Sequence, residues 1–265
     1  MHRRRPGHRH GAGGGLVQIK KAAVIGSGVM GSGIAAQIAN AGVPVLLLDI
    51  VPDGAEDRNG LAKAALAKAA KTDPAPFMNK KAIRLVEPGN IEDDLDKLAD
   101  VDWIIEVVIE NLAIKQALYG KIADVKKPGT IVSSNTSTLP LSKLTEGLPE
   151  SFANDFLITH FFNPPRYLRL LEVVAGPTTS KSTLEAVASL GDRGLGKTVI
   201  SCKDTPGFIG NRIGVYWMQA ASTEAFDANL PVEEADLAMG RPLGIPKTGI
   251  FGLADLVGID LLPYV

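Results

Sequence analysis

Cysteine is almost missing from this sequence, which limits the sites and the compartment that fit the chain. Cys202 is the single cysteine among 265 residues. One thiol excludes a disulfide within the chain and any metal site built from several cysteines. A reducing compartment such as the cytoplasm fits this composition. A lone cysteine at the end of an apolar strand is typical of a buried, unreactive thiol.

Long apolar runs and a strong net charge are missing as well. No apolar stretch approaches the roughly 18 residues that are typical of a membrane span. The formal net charge is −1, although the first ten residues include four arginines. Of the 28 basic residues, 24 therefore lie in the remainder, against 29 acidic ones. A mildly acidic body argues against a surface that binds nucleic acid.

The first fifteen residues are rich in Arg, His, Gly and Pro and offer almost nothing to bury. We therefore expect residues 1–17 to form a disordered basic tail. A transit peptide is an alternative, but the segment lacks an amphipathic apolar stripe. Weak metal binding by His2, His8 and His10 is another alternative.

Strand and helix patterns alternate from residue 18 to residue 201. Short apolar runs predict strands at residues 22–25, 45–48, 102–108, 130–133, 156–161, 170–174 and 197–202. Helical patterns occupy residues 29–41, 55–71, 79–86, 112–123 and 182–190. This alternation predicts an α/β fold with a Rossmann-like, doubly wound and mostly parallel sheet.

Residues 202–265 carry helical patterns only. Thr205 and Pro206 fit the N-cap and the first position of a long amphipathic helix that reaches about residue 228. Shorter helical patterns follow at 232–239 and 253–257. We therefore expect a small all-α domain at 202–265, after the Rossmann-like domain at 18–201.

A glycine-rich turn joins the first predicted strand to the first predicted helix. It reads GSGVMG at residues 26–31, which is a GxGxxG pattern. Glycines at these positions permit a tight turn, let the backbone approach a pyrophosphate, and let helix and strand pack closely. The helix N-terminus also attracts phosphates. We expect a dinucleotide to contact Gly26, Gly28, Val29, Met30 and Gly31.

Asp49 ends the next predicted strand, 18 residues after Gly31, where such sites carry an acidic residue. Its carboxylate can accept hydrogen bonds from the ribose hydroxyls, and it would repel a 2′-phosphate. The following Ile50 and Val51 offer no arginine for that phosphate. NAD is therefore favoured over NADP.

His160 is the only histidine outside the basic tail, and Glu172 lies on the next apolar run. Residues 163–167 between them include two prolines and predict a turn. If the flanking strands pair antiparallel, His160 and Glu172 are cross-strand neighbours about 5 Å apart at Cβ. The pair fits a general base with an orienting carboxylate, and it equally fits a buried ion pair without catalytic work. The dinucleotide site favours the first interpretation, because oxidation of an alcohol needs a hydride acceptor and a base.

Several motifs in order resemble the L-3-hydroxyacyl-CoA dehydrogenases. They are GSGVMGSGIA, IENLAIKQALY (109–119), SSNTSTLPLS (133–142), HFFNPPR (160–166), LLEVV (170–174), CKDTPGFIGNR (202–212) and GRPLGIPKTGIFGLADLVGID (240–260). The resemblance covers about residues 18–262, and the last motif is most similar to bacterial multifunctional fatty acid oxidation proteins. It implies NAD-dependent oxidation of L-3-hydroxyacyl-CoA to 3-ketoacyl-CoA in fatty acid β-oxidation.

The resemblance also implies roles for individual residues. His160 would be the catalytic base and Glu172 its partner, while Ser137 and Asn211 would hold the substrate oxygen. The remaining candidates are cofactor contacts: Glu110, Lys115 and Asn163. Each of these residues also has an interpretation without a catalytic or cofactor role: a helix cap at Ser137, a solvated Asn211, and a surface pair of Glu110 with Lys115.

The family's second domain continues beyond the DLVG segment and commonly forms a homodimer. The resemblance therefore implies that the helical domain of this chain is incomplete. An acyl-CoA is the implied substrate, with its CoA tail along the helix after Asp49. Lys63, Lys68 and Lys71 on this helix are candidates for contact with its phosphates, although the sequence favours a solvated helix face. The alternatives are a nucleotide-binding module without turnover and a related dehydrogenase for a non-CoA hydroxy acid.

Overall fold

The computed structural model describes residues 18–244 and 248–258. The predicted basic tail at 1–17 and the end of the predicted helical domain at 259–265 lie outside the described residues. Within the described part, no helix combines the length and the apolarity needed to cross a membrane.

The centre of the molecule is an eight-stranded sheet in the order β3-β2-β1-β4-β5-β6-β7-β8. All neighbouring strands pair in parallel except β6 and β7, which are antiparallel. This arrangement confirms the predicted doubly wound, mostly parallel sheet. The strands are β1 (Ala22–Ile25), β2 (Val45–Asp49), β3 (Val86–Asn90), β4 (Trp103–Glu106), β5 (Ile131–Ser134), β6 (Phe156–Phe161), β7 (Leu170–Ala175) and β8 (Thr198–Cys202).

Helices connect the parallel strands and cover both faces of the sheet, as crossovers between parallel strands require. Those that accompany the sheet are α1 (Val29–Asn40), α2 (Gly60–Ala69), α3 (Lys80–Ile83), α4 (Leu112–Val125), α5 (Leu141–Leu144), α6 (Glu150–Asn154) and α7 (Lys181–Ser189). After β8 the described residues form helices only: α8 (Gly210–Asp227), α9 (Val232–Ala238) and α10 (Phe251–Val257).

Side chains alternate between two apolar layers along each central strand, as the two-residue period of a strand requires. In β1, Ala22 and Val24 pack into one layer, whereas Ala23 and Ile25 pack into the other. All four are almost completely buried. Strands buried on both faces explain why the sequence shows short continuous apolar runs instead of an apolar–polar alternation.

Strand β3 was not predicted, because its sequence argues against a strand. It contains Pro88 and Gly89, and residue 86 was assigned to the end of a helix that in fact stops at Ile83. Pro88 lies opposite Leu47 of β2, and β3 is the edge of the sheet. An edge strand tolerates proline, since only one of its sides must supply hydrogen bonds.

The long helix α8 begins four residues later than predicted. Gly207 and Phe208 have φ angles of 72° and 45°, which belong to the left-handed region and interrupt a right-handed helix. Thr205 is therefore not the N-cap, and its carbonyl accepts a turn hydrogen bond from the Phe208 N–H at 2.9 Å. Asp204 instead accepts the backbone N–H of Leu141, which ties this turn to α5.

Candidate active site

His160 and Glu172 are directly opposite each other on the antiparallel pair β6–β7. His160 Nδ1 lies 2.8 Å from Glu172 Oε2. The loop between them turns tightly, with the N–H groups of Tyr167 and Leu168 both donating to the Pro164 carbonyl. The predicted cross-strand pairing is therefore confirmed, and the two side chains form a buried hydrogen bond.

The second oxygen of Glu172 is bound to the start of α8. Its Oε1 accepts the backbone N–H groups of Ile209 at 3.0 Å and Gly210 at 2.7 Å. Burial raises the pKa of the Glu172 carboxyl, but the hydrogen bonds from His160, Gly210 and Ile209 outweigh it and hold the pKa below its usual range. Glu172 therefore stays ionised while it is fully buried.

The imidazole of His160 lies between two aromatic rings. Its centroid is 4.5 Å from that of Phe162 and 5.6 Å from that of Phe208. Because Nδ1 donates to Glu172, the neutral ring carries its proton there and leaves Nε2 as the acceptor. The geometry thus supplies a base with a fixed tautomer and a carboxylate that stabilises the imidazolium.

Cys202 ends β8 next to this pair, with its Sγ 3.7 Å from Glu172 Oε1. Burial, reinforced by the Glu172 charge, raises the pKa of the thiol to about 11. A thiol that stays protonated at neutral pH is a poor nucleophile. The expected buried, unreactive cysteine is what the structure shows.

The glycine-rich turn after β1 is built around one close approach. A Cβ on Gly31 would lie 1.7 Å from the Gly26 carbonyl oxygen, whereas a Cβ on Gly28 would meet nothing within 4 Å. Gly26 has a φ of 101°, which side-chain-bearing residues rarely adopt. Gly26 and Gly31 are therefore needed for the turn itself, and Gly28 leaves space at the N-terminus of α1.

Asp49 lies at the end of β2 and holds this turn from the side. Its Oδ2 accepts the N–H and the hydroxyl of Ser27, and its Oδ1 accepts the N–H of Ile50 at 2.8 Å. The carboxylate lines a pocket of about 590 Å³ between α1, α2 and the loop after β6. Other lining residues are Gly28, Val29, Leu61, Lys68, Asn163 and Pro165.

A second pocket, of about 350 Å³, opens on the other side of the glycine turn. Met30, Glu110 and Lys115 line it, together with Asn135. The side chain of Lys115 is 1% exposed. Its Nζ lies 2.7 Å from Glu106 Oε1 and 3.2 Å from Glu110 Oε2. Glu110 and Lys115 therefore do not form a surface pair, because the lysine is buried below the pocket.

Sequence reasoning missed Glu106, the buried carboxylate at the end of β4. Besides Lys115, it accepts hydrogen bonds from Tyr119 Oη, from Ser134 Oγ at 2.7 Å and from the Val108 N–H at 2.7 Å. Burial and the Glu106 charge raise the pKa of Tyr119 well above its usual value. The signal was Glu106 itself, the acidic residue inside the apolar run WIIEVV at residues 103–108.

Glu110 positions the loop that follows β5. Its Oε1 accepts the hydroxyls of Thr136 and Thr138. Burial raises the pKa of Glu110, but Lys115 and these threonines outweigh it and lower the pKa. Ser137 lies half-buried between the two threonines. It caps no helix among the described residues, since α5 begins after Pro140.

The loop with Ser137 is also tied to the histidine strand, because Asn135 Oδ1 accepts the N–H of Phe161 at 2.9 Å. Asn211 is half-buried on α8, one residue after the Gly210 N–H that binds Glu172. His160, Ser137 and Asn211 line neither pocket themselves. Nearby in the chain, Asn135 lines the smaller pocket and Asn163 lines the larger one.

The two pockets suit a dinucleotide. The N-terminus of α1 has no side-chain cap among the described residues, so its N–H groups face the space beside Gly28, where a phosphate binds well. Asp49 supplies acceptors for ribose hydroxyls in one pocket, and Glu110 lines the other. Within the described residues, no three His, Cys, Asp or Glu side chains cluster as metal ligands would.

Two family matches cover nearly all of the chain. Residues 21–205 match the family described as "3-hydroxyacyl-CoA dehydrogenase, NAD binding domain", and residues 207–265 match "3-hydroxyacyl-CoA dehydrogenase, C-terminal domain". The chain belongs to the 3-hydroxyacyl-CoA dehydrogenase family. The resemblance stated from the motifs is thereby confirmed.

Relatives and solved structures agree with this assignment. A Deinococcus radiodurans protein named "Probable 3-hydroxyacyl-CoA dehydrogenase" is 47% identical over 249 residues, which are 94% of this chain and 72% of that protein. A Bacillus subtilis protein of the same name is 44% identical over 93% of this chain but only 33% of its own length. The crystal structure of (S)-3-hydroxybutyryl-CoA dehydrogenase from Ralstonia eutropha is 29% identical, with a TM-score of 0.76 over 93% of this chain and 85% of that one.

The glycine geometry predicts different effects on stability and on NAD binding for two alanine substitutions. Gly31→Ala should lower the free energy of unfolding by about 2–3 kcal/mol or more, because its methyl group collides with the Gly26 carbonyl. Gly28→Ala should lower it by about 1 kcal/mol or less and instead weaken NAD binding. Urea denaturation and NAD titration measure the two effects. Equal destabilisation by both variants would contradict the assignment of Gly31 to the turn itself and of Gly28 to the space for the cofactor.

The lowered pKa of Glu172 predicts how the stability it supplies depends on pH. A carboxyl whose pKa is lower in the folded state stabilises the fold above its unfolded pKa, and the contribution disappears as the pH falls through the folded value. Glu172→Gln should therefore cost about 1–3 kcal/mol at pH 7, and the difference should shrink below about pH 4.5.

Urea denaturation of both proteins across this pH range measures the difference. Glu146→Gln is the matched control, because Glu146 is exposed and, among the residues that the structure describes, pairs with Lys143 alone. A difference for Glu172→Gln that stays constant down to pH 3 would show that its charge is not what stabilises the fold.

Proposed function

We propose that this chain oxidises an L-3-hydroxyacyl-CoA to the 3-ketoacyl-CoA with NAD as hydride acceptor, as a step of fatty acid β-oxidation. The observation that carries the proposal is the buried hydrogen bond of 2.8 Å between His160 Nδ1 and Glu172 Oε2, next to a glycine turn that suits a dinucleotide. Because the chain spans only a third of its B. subtilis relative, activity of the chain by itself is part of the proposal.

His160 is the proposed base for the 3-hydroxyl group. Its Nε2 takes the hydroxyl proton as the C3–O bond becomes a carbonyl, and the C3 hydrogen leaves as hydride. Bound NAD supplies the acceptor for that hydride. Glu172 remains ionised, keeps the proton on Nδ1 before the reaction, and stabilises the imidazolium afterwards. The reverse reaction returns the same proton from Nε2 to the ketone oxygen.

Ser137 and Asn211 are the proposed donors to the reacting oxygen. Their placement supports this role: one lies in the loop that Glu110 and Asn135 hold beside the histidine strand, and the other directly follows Gly210 on α8. A hydrogen bond that strengthens as the oxygen gains negative charge stabilises the transition state, and so speeds the reaction in both directions. Both side chains are half-buried.

The proposed cofactor contacts fall into two groups around the glycine turn. Gly26, Gly28, Val29, Met30 and Gly31 would hold the pyrophosphate, and Asp49 the adenosine ribose. Glu110, Lys115 and Asn163 are proposed to contact the cofactor from the loops around the two pockets. The three donors of the Lys115 ammonium already bind Glu106, Glu110 and the Val108 carbonyl. We infer that Lys115 acts mainly by holding the Glu110 carboxylate in place.

The CoA portion of the substrate is proposed to enter along α2. Lys68 lines the larger pocket there, whereas Lys63 is paired with Asp57 at 2.7 Å. Comparing acetoacetyl-CoA with acetoacetate as substrates separates an acyl-CoA enzyme from one that uses a short hydroxy acid. NAD binding without turnover would leave the chain as a nucleotide-binding module.

We also propose that the chain forms a homodimer and that it divides into domains at 18–201 and 202–265. Its proposed location is the cytoplasm. Exposed apolar side chains on the helices after β8 support a contact between copies: Ile213, Tyr216, Phe226, Leu237 and Leu256. Apolar groups of this size favour burial against a partner. Sedimentation of the purified chain measures its oligomeric state, and fractionation of the host cell measures its location.

Removing either member of the dyad should slow the chemical step. His160→Gln should lower kcat by about 10²–10⁴-fold, the range for loss of a general base, and Glu172→Gln by up to about 10⁴-fold through loss of the imidazolium partner. NADH consumption with acetoacetyl-CoA measures the rate. Glu146→Gln serves as the surface control. Wild-type rates in both dyad variants would remove His160 and Glu172 from the mechanism.

Asp49 should set the preference for NAD over NADP. Asp49→Asn removes the charge that repels a 2′-phosphate, so the ratio of kcat/KM for NAD to that for NADP should fall about tenfold or more. Ser27→Ala is the matched control, because it removes a hydroxyl from Asp49 without changing the charge. An unchanged ratio in Asp49→Asn, or an equal fall in both variants, would contradict a role for the charge.

A further inference from the structure

Lys197 is a buried lysine immediately before β8, on the outer side of the antiparallel pair that carries the dyad. Its side chain is almost inaccessible, at 3% exposure for the residue. The ammonium donates to two backbone carbonyls, those of Pro165 and Leu168, the latter at 2.7 Å. Its Nζ lies 5.9 Å from the centroid of the Phe161 ring, next in sequence to His160.

No neighbouring carboxylate among the described residues neutralises the buried ammonium of Lys197. Among the described residues no carboxylate lies within the 4.0 Å of an ion pair, and Lys197 appears in none of the salt bridges. Glu185, Asp192, Arg169 and Arg193 line the open groove beside it. Burial therefore lowers the pKa of Lys197 to about 8. Burying a charge without a counterion is costly, so the two carbonyl bonds must serve the fold or the site.

Both carbonyls belong to the loop at 162–169 that connects His160 to Glu172. Pro164 and Pro165 have no N–H to donate, and the N–H groups of Tyr167 and Leu168 both go to the Pro164 carbonyl. The loop thus has few donors for its own carbonyls, and the Lys197 ammonium supplies those for Pro165 and Leu168.

The opposite side of this loop packs against α1, the helix that follows the glycine turn. It also forms a wall of the pocket of about 590 Å³ that Asp49 lines. A Cβ on Gly33 of α1 would come within 2.9 Å of the Pro165 ring, so the ring lies directly on the helix. Asn163, Pro164, Pro165 and Arg166 line the pocket. Pro165 is therefore held between α1 on one side and Lys197 on the other.

We propose that Lys197 is a positioning residue, which fixes the loop at 162–169 as a wall of the pocket that Asp49 and Lys68 also line, and thereby sets affinity for the CoA portion of the substrate that is proposed to enter beside Lys68. The substrate part rests on the proposed function, whereas the fixing of the loop does not. Lys197 contacts neither His160 nor Glu172 in the described hydrogen bonds. Its loss should therefore change KM more than kcat.

The first test measures the loop without any turnover. Lys197→Met keeps the length of the side chain and removes its donors, whereas Lys197→Arg keeps donors and charge. Hydrogen exchange of the Tyr167 and Leu168 amides, followed by mass spectrometry, should be about tenfold faster or more in the Met variant, as expected for the loss of two hydrogen bonds. The Arg variant should restore most of the protection.

Lys126→Met is the matched control. Lys126 is also mostly buried and also donates to a backbone carbonyl, that of Thr130, but it is paired with Asp155 away from the loop. It should reduce overall stability without altering exchange at Tyr167 and Leu168. If Lys197→Met does not fold, Lys197→Gln provides the same comparison with one donor group retained. Unchanged loop exchange in the folded variant would overturn the proposal.

The second test separates binding from chemistry. In Lys197→Met, KM for acetoacetyl-CoA should rise about tenfold while kcat changes by about threefold or less. A fall in kcat at unchanged KM would overturn the assignment of Lys197 to substrate affinity. If the wild-type chain has no turnover, the proposed function fails, and the exchange experiment still decides whether Lys197 fixes the loop.

Discussion

The rest of the site depends on the hydrogen bonds that the Glu172 carboxylate accepts. One oxygen binds the imidazole of His160 and the other binds the first N–H groups of α8. A buried carboxylate without such donors would be protonated or would destabilise the fold. The same side chain therefore sets the tautomer of the proposed base and joins the sheet to the helices that follow it. A change in the position of α8 must change the electrostatics of the histidine.

A second buried carboxylate organises the other side of the glycine turn in the same manner. Glu106 ends β4, binds Lys115, Tyr119 and Ser134, and so supports the floor of the smaller pocket. Lys115 in turn holds Glu110, which fixes the loop with Ser137 through Thr136 and Thr138. Networks in which every buried polar group has a partner are rigid. The candidate site is thus held in place by hydrogen bonds to the buried carboxylates of Glu106 and Glu172.

The loop at 162–169 links the dyad to the larger pocket, because it joins His160 to Glu172 and also forms a wall of that pocket. It is tied on three sides: by Lys197 beneath it, by the packing of Pro165 on Gly33, and by Arg166, whose guanidinium donates to the Ala75 carbonyl. Such ties reduce the conformational entropy lost when a substrate binds. One short segment of chain therefore carries both the wall of that pocket and the connection between His160 and Glu172.

Local patterns in the sequence determined most of the sheet, the glycine turn, the position of Asp49 and the pairing of His160 with Glu172, because each follows from periodicity, turn chemistry or symmetry about a proline turn. The same patterns missed β3, whose Pro88 is tolerated only at a sheet edge, and misplaced the start of α8, which depends on the backbone angles of Gly207 and Phe208. They also missed Glu106 and Lys197, and they left open whether Lys115 lies at the surface. Those answers depend on which groups meet from distant parts of the chain. Burial and hydrogen bonding of a charged side chain are properties of the packed structure, and only the tertiary fold decides them.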